Sequence, residues 1–417
     1  MTLDPVHFEG IAQLARRIRY DVGEDDHRDF ARTVWAEFLD PLVDDGRTVL
    51  EPLGEQGRHS APIEDVALTD EPFETVHGLD SGTINPTTFT NGLVLDIAQA
   101  AMSATPSDLE LHRARTLVMT VHTNDRTVDV SESDWEMGDE GYIRSQIRQA
   151  PRVDRFAEGV VHALALYLAE SKHALTQAEV VDDLLVLDGP LYPKGLFKWA
   201  DRHPELAALL DEDDRVREVV SNYVELVERF VTRDVPLVGF VKNPATKVIT
   251  RTVQKKGAHA PWVDDTAFFT RVLERGGFDP DTEQWERDTN HLTCTNWFAS
   301  RGGADHPLST DGDALGVERR LDDEDYEPTF CAIYDPRNDL VYRLEAPYAF
   351  TKDAATREDL RLFALQEIAA RNGPPLAVAK ADELARISRD EKRALTATLE
   401  ETFEARRMRD YDDTRWD

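Results

Sequence analysis

Cysteine is nearly missing from this chain, and that absence excludes a class of folds. Two thiols, Cys294 and Cys331, in 417 residues cannot build a disulfide framework or a four-cysteine zinc site, and no Cys-x-x-Cys occurs. They read as small residues inside a reduced, cytoplasmic protein. No apolar run approaches the ~20 residues needed to span a bilayer. The first residues, Met1-Thr2-Leu3-Asp4-Pro5, lack the basic and apolar regions of a secretory signal. GxxxxGK[ST], GxSxG and HExxH are absent, so neither a P-loop NTPase nor an α/β-hydrolase is supported. Positive charge is scarce too: 48 Lys+Arg face 81 Asp+Glu, a net charge of −33, and arginine far outnumbers lysine. The acids are spread along the chain rather than gathered in a tail. That pattern fits a protein kept soluble in molar salt, where screening hides self-repulsion, and predicts a halophilic source.

What remains is a soluble globular composition, 41% hydrophobic and 31% charged, long enough for one large domain or two to three ordinary ones. Residues 5–42 carry apolar residues at helical spacing (Ile11, Leu14, Ile18, then Phe30, Val34, Phe38), broken around 23–29. Trp35 and Phe38 on this amphipathic segment are candidates for a subunit or translocase contact, or for a helix covering its own domain. Residues 44–75 are polar and turn-rich, which predicts a linker. Residues 76–83, 93–98 and 115–121 read as antiparallel strands. A helix is predicted over 154–172. The run from Asp183 to Asp188, stopped by Gly189-Pro190, predicts a strand buried on both faces. A helix over 215–233 and a strand over 237–242 complete a βαβ unit, hence a parallel pair. Residues 276–339 are irregular and charge-laden and predict an exposed insertion. Helices are predicted over 354–372 and 377–408.

This order of elements describes an α/β fold with a ribonuclease-H-like mixed sheet core flanked by helices, with helical N- and C-terminal extensions. Such a core holds metal ions with carboxylates converging from sheet and helices. Asp80 closes the first strand before Ser81-Gly82, small enough for a substrate backbone to approach. Asp188 closes the buried run, at the carboxyl end of a central strand where open α/β sheets place ligands. Each also admits a plain reading as a turn. Hard divalent ions want such oxygen ligands. A basic cluster, Arg251, Lys255 and Lys256 with His259 and Trp262, is a candidate for guiding a nucleic-acid strand, with a solvated loop as the alternative.

Leu184-Leu185-Val186-Leu187-Asp188-Gly189-Pro190-Leu191, followed after a helix by Val238-Gly239-Phe240-Val241-Lys242, resembles the two best-marked segments of the NurA nucleases. Gly78-Leu79-Asp80-Ser81-Gly82 is similar to the family's first motif, usually Val-Asp-Gly-Ser, and departs from it in the turn. Arg155-Phe156-Ala157-Glu158 resembles its arginine-to-glutamate helix. Gly373-Pro374-Pro375 and the segment from Ala381 to Ser388 match the closing motif, with Asp382 where histidine is usual. The resemblance covers residues 76–388 and implies a nuclease domain there, between a helical region at 1–55 and a helical tail at 389–417. It implies a metal-dependent deoxyribonuclease, a 5′–3′ exonuclease and single-strand endonuclease. The expected partners are DNA and a HerA-type hexameric ATPase in end resection, and the expected state is a homodimer. Asp80, Glu158, Asp188 and Asp382 are then the catalytic ligands of Mn²⁺ or Mg²⁺. Lys242, Arg155 and the Arg251, Lys255, Lys256 cluster are expected against the nucleic acid. The rival on the same fold is a non-catalytic DNA- or translocase-binding subunit, supported by Asp382 and the altered first turn.

Overall fold

The computed structural model describes residues 5–18, 24–258, 260–279 and 284–409, so His259 and residues 410–417 of the tail lie outside it. A large mixed sheet, fifteen strands among the described residues, is flanked by helices on both faces. Through its middle run, in spatial order, Pro328–Asp335, Leu340–Pro347, Leu237–Val241, Leu184–Asp188, Val76–Thr83, Leu93–Thr105 and Arg115–Thr123. The βαβ expectation holds: Leu184–Asp188 pairs in parallel with Leu237–Val241 and with Val76–Thr83. Its unbroken apolar run follows from cover on both sides. Leu185 and Leu187 pack in one core with the Ala157–Gln177 and Asp214–Thr232 helices, while Leu184 and Val186 pack in another with the Ala354–Arg371 helix. No helix among the described residues is long and apolar enough to cross a membrane.

Three sequence expectations change. The predicted linker at 44–75 supplies Arg47–Pro52 and Arg58–Pro62 to the sheet, where they pair with Phe298–Ser300 and His291–Thr295. The predicted exposed insertion at 276–339 contains Pro328–Asp335, buried at every position. Its signal was the apolar run Phe330-Cys331-Ala332-Ile333-Tyr334, masked by charged neighbours on both sides. Cys294 and Cys331 are free and buried here. The predicted helix over 377–408 breaks into Leu376–Ala385 and Arg389–Thr402, because Ser388 and Glu391 form a reciprocal capping box that starts a new helix. Trp35 of the Glu24–Phe38 helix is buried edge-on against Phe298 at 5.7 Å, so this face covers the protein's own sheet rather than a partner.

One packing contact positions the site. Gly78 and Gly82 flank Asp80 on the same face of the Val76–Thr83 strand, and the Leu376–Ala385 helix lies directly on them. A Cβ at Gly78 would meet the Ala377 carbonyl at 2.3 Å, and one at Gly82 the Ala385 oxygen at 2.2 Å. Ser103 Oγ donates to the Ala377 carbonyl at 2.5 Å and Gln99 Nε2 to that of Ala385 at 2.9 Å, tying both ends of the helix to the neighbouring strand. Because the obstructing atoms are backbone, Gly82→Ala forces the helix off the strand. Loss of about 1–3 kcal/mol is expected, read as a lower urea midpoint in molar KCl. An unchanged midpoint would show that the helix does not ride on the strand this closely.

Candidate metal centre

The parallel register sets Leu187 beside Leu79, so Asp188 is the last residue of its strand and comes to lie beside Asp80. The Val76–Thr83 strand continues past this end, leaving a notch beside Ser81, Gly82 and Thr83. Asp80 and Asp188 are half-buried in it and close enough for one carboxyl to hydrogen-bond the other. Asp80 Oδ1 also accepts from the Ser81 amide at 2.7 Å. Lys242, the residue after Leu237–Val241, donates from Nζ to Asp188 Oδ2 at 2.7 Å. Asp382 approaches from the helix that rests on Gly78 and Gly82, and its charge acts on both aspartates. Its Oδ2 accepts from Arg386 at 3.1 Å.

A fourth acid completes the group, and the sequence reading missed it. Glu170 of the Ala157–Gln177 helix accepts from Ser81 Oγ at 2.6 Å through one oxygen and from Tyr223 at 3.0 Å through the other. Its charge acts on Asp80 and Asp188. Its signal was helical spacing: Glu170 shares the inward face of Ala163 and Ala174, seven residues before and four after, both buried. Glu158, the expected ligand, stands apart from this group. It lies twelve residues earlier, ~18 Å along the helix, exposed, and accepts from Thr88 Oγ1 at 3.2 Å.

The basic residues also fall apart by place. Arg155 is exposed ahead of the same helix, its amide bonded to Glu205. Arg251 is exposed on the Val248–Lys255 helix. Lys255 pairs with Asp44 at 2.6 Å, and Lys256 stands 5.7 Å over the Phe38 ring. Trp262 is buried and stacked on Phe30 at 5.4 Å, which removes it as a platform for bases. Of the predicted cations, only Lys242 is in contact with an acid of the group.

The turn after Asp188 is braced from within. The Leu191 amide donates to Glu345 Oε2 at 3.1 Å, and the other Glu345 oxygen meets Lys194 at 2.5 Å and Arg343 at 2.7 Å. Asp305 bridges the same two cations at 2.6 and 3.1 Å. All four side chains are buried, so each charge depends on the others.

Burial, and then the neighbouring Asp188, push the Asp80 carboxyl up to about 8. Burial raises Asp188 as well, against the pull of Lys242, and raises Glu170 to about 7. Among the described residues no three carboxylate, imidazole or thiolate groups form a closed ligand set. The acids meet in pairs, Asp80 beside Asp188 and Glu170 through Ser81. Such a group still fits a hard divalent cation, which takes one or two carboxylates and completes its shell with water and substrate oxygens.

The NurA domain model matches residues 74–387 of this chain. The chain belongs to the NurA family. Among solved structures it is similar to the crystal structure of the NurA nuclease from Sulfolobus solfataricus, at 10% identity and a TM-score of 0.48 over 96% of this chain and 98% of that one. It is also similar to NurA bound to dAMP and manganese, at 12% identity and 0.42, over 85% and 92%. A third, NurA with manganese, gives 10% and 0.39 over 81% and 95%. No match is found among curated proteins.

Asp80 carries a pH prediction. Unfolded, the carboxyl releases its proton near 4; folded, it holds it to about 8. Its contribution to stability is therefore full below ~4 and is lost as pH rises through about 8. Asp80→Asn stays neutral throughout. With a chelator present, the variant's melting temperature should gain on wild type as pH rises across that window. Parallel curves would mean that the carboxyl ionises in the fold as freely as in the open chain.

Proposed function

We propose that this NurA-family protein is a metal-dependent deoxyribonuclease that hydrolyses phosphodiester bonds in single strands and at 5′ ends. The observation that carries this reading is the meeting of Asp80 and Asp188 in one half-buried notch, with Glu170 linked to it through Ser81 and Asp382 acting on it from the facing helix. Like charges gathered out of bulk water are unfavourable unless a proton or a cation joins them. Asp80, Asp188, Glu170 and Asp382 are the groups that would hold Mn²⁺ or Mg²⁺, and two solved NurA proteins are described with manganese. The bound ion supplies an activated water and a Lewis acid for the leaving oxygen.

The chain's own residues have separate tasks. Tyr223 and Ser81 fix both Glu170 oxygens and aim the carboxyl at the notch. In the free protein its proton affinity is raised to about 7, so near neutrality Glu170 can give up its proton as a cation binds. Lys242 neutralises Asp188 in the free protein, and we assign it to a non-bridging phosphate oxygen when substrate is present. Residues 76–388 are read as the catalytic domain on a ribonuclease-H-like core, with 1–55 and 389–417 as extensions. Family resemblance supports a homodimer working with a HerA-type translocase in DNA end resection. The charge of −33 supports a cytoplasm rich in salt, as in a halophilic archaeon. The second reading, a non-catalytic subunit, is favoured by one contact, the pairing of Asp382 with Arg386.

Cleavage of end-labelled single-stranded DNA in molar KCl with Mn²⁺ tests the proposal. Asp188→Asn and Glu170→Gln should each lose about 100-fold or more, while Glu158→Gln keeps the wild-type rate. Equal rates for wild type and Asp188→Asn would transfer the protein to the non-catalytic reading.

A further inference from the structure

A second charged feature lies along the strand that carries Asp80. Beyond Thr83, the 84–87 turn faces the Arg389–Thr402 helix across a cleft of about 480 Å³. One wall presents Asn85. The other presents Lys392, Arg393 and Glu400, and the chain end adds Arg407 and Arg409. Lys392 and Arg393 thus stand side by side near one carboxylate, in a chain where acids outnumber bases 81 to 48. Glu400 is partly engaged, since its Oε1 accepts from the Arg407 amide at 2.7 Å. Elsewhere Lys194, Lys242, Lys255 and Lys352 each pair with an acid. Lys392 and Arg393 make no ion pair among the described residues. Leaving adjacent cations unpaired amid such an excess of carboxylates marks a surface kept for an outside anion.

Position decides which anion. Asn85 follows Asp80 by five residues, at most ~17 Å of extended chain. That is about five nucleotides at the ~3.4 Å spacing of a stacked strand. The cleft is lined by no aromatic ring, so it offers phosphate contacts and no stacking. We propose that the cleft between the 84–87 turn and the Arg389–Thr402 helix is a sequence-independent subsite. It holds the sugar–phosphate backbone of a single strand within about five nucleotides of the acid notch. The proposal rests on the nuclease reading above and adds to it the path of the strand.

The test uses the full chain with Lys392→Gln and Arg393→Gln combined, against a 20-nucleotide single strand and a dinucleotide too short to bridge notch and cleft. On the 20-mer, KM should rise about 10-fold at low KCl with kcat unchanged. The slope of log KM against log[KCl] should fall by about 1.4, or ~0.7 for each lost contact. Cleavage of the dinucleotide should stay at the wild-type rate. An unchanged KM and slope on the 20-mer overturn the subsite, and so does an equal loss on both substrates. Should wild type cleave neither, the nuclease reading fails, and 20-mer binding by fluorescence anisotropy still judges the cleft: weaker binding by the double variant supports it, and equal binding overturns it. Preferential displacement of the 20-mer by polyglutamate would assign the cleft to an acidic peptide and overturn the nucleic-acid proposal.

Discussion

Asp80 and Asp188 stand side by side where water reaches them only in part, and their mutual repulsion is the constraint around which the neighbourhood is arranged. A parallel register stops one strand level with its neighbour's aspartate, and the neighbour runs on to open a notch. Every group nearby manages the resulting charge. Burial raises the proton affinity of Asp80, Lys242 pairs with Asp188, and Ser81 with Tyr223 satisfies Glu170. A site in this state is poised to exchange its proton for a cation, because the same burial that raises proton affinity raises the need for positive charge.

Holding such a group together requires rigid support from behind. Two glycines let a helix settle on the strand backbone and carry Asp382 within electrostatic range. On the other side of Asp188, the turn is fastened to Glu345 inside a closed network with Lys194, Arg343 and Asp305. Buried ion networks of this kind add little net stability over apolar packing, but they penalise every alternative arrangement of the turn. We read the network as the reason a short Asp-Gly-Pro turn keeps one geometry.

The excess of acid over base sets the terms on which a polyanion can be approached. Counterion release weakens as salt rises, so a surface of −33 cannot attract nucleic acid over distance. Local contacts must do so instead: Lys242 at the notch and the arginines and lysine of the neighbouring cleft. Lys255, by contrast, is held against Asp44 away from the notch.

Periodicity and apolar runs by themselves determined the strands at 76–83, 183–188 and 237–242, the parallel pair and the helices expected over 154–172 and 215–233, since each is a local property of spacing. They also placed Asp188 at the end of its strand, because a buried run stopped by an acid and a turn has few other meanings, whereas Asp80, expected to close its strand, lies three residues inside Val76–Thr83. Pro328–Asp335 escaped because its partners are distant in sequence and its charged flanks hide a short apolar core. The capping box at Ser388-Arg389-Asp390-Glu391 is legible in the sequence as the start of a second helix, a local signal that outweighs the continuous helical periodicity around it. Only the tertiary structure exchanged Glu158 for Glu170. Both lie on one helix, and which turn of that helix meets the notch depends on how it packs across the sheet. No one-dimensional pattern contains that contact, for it is fixed by Ser81 and Tyr223 arriving from two other elements.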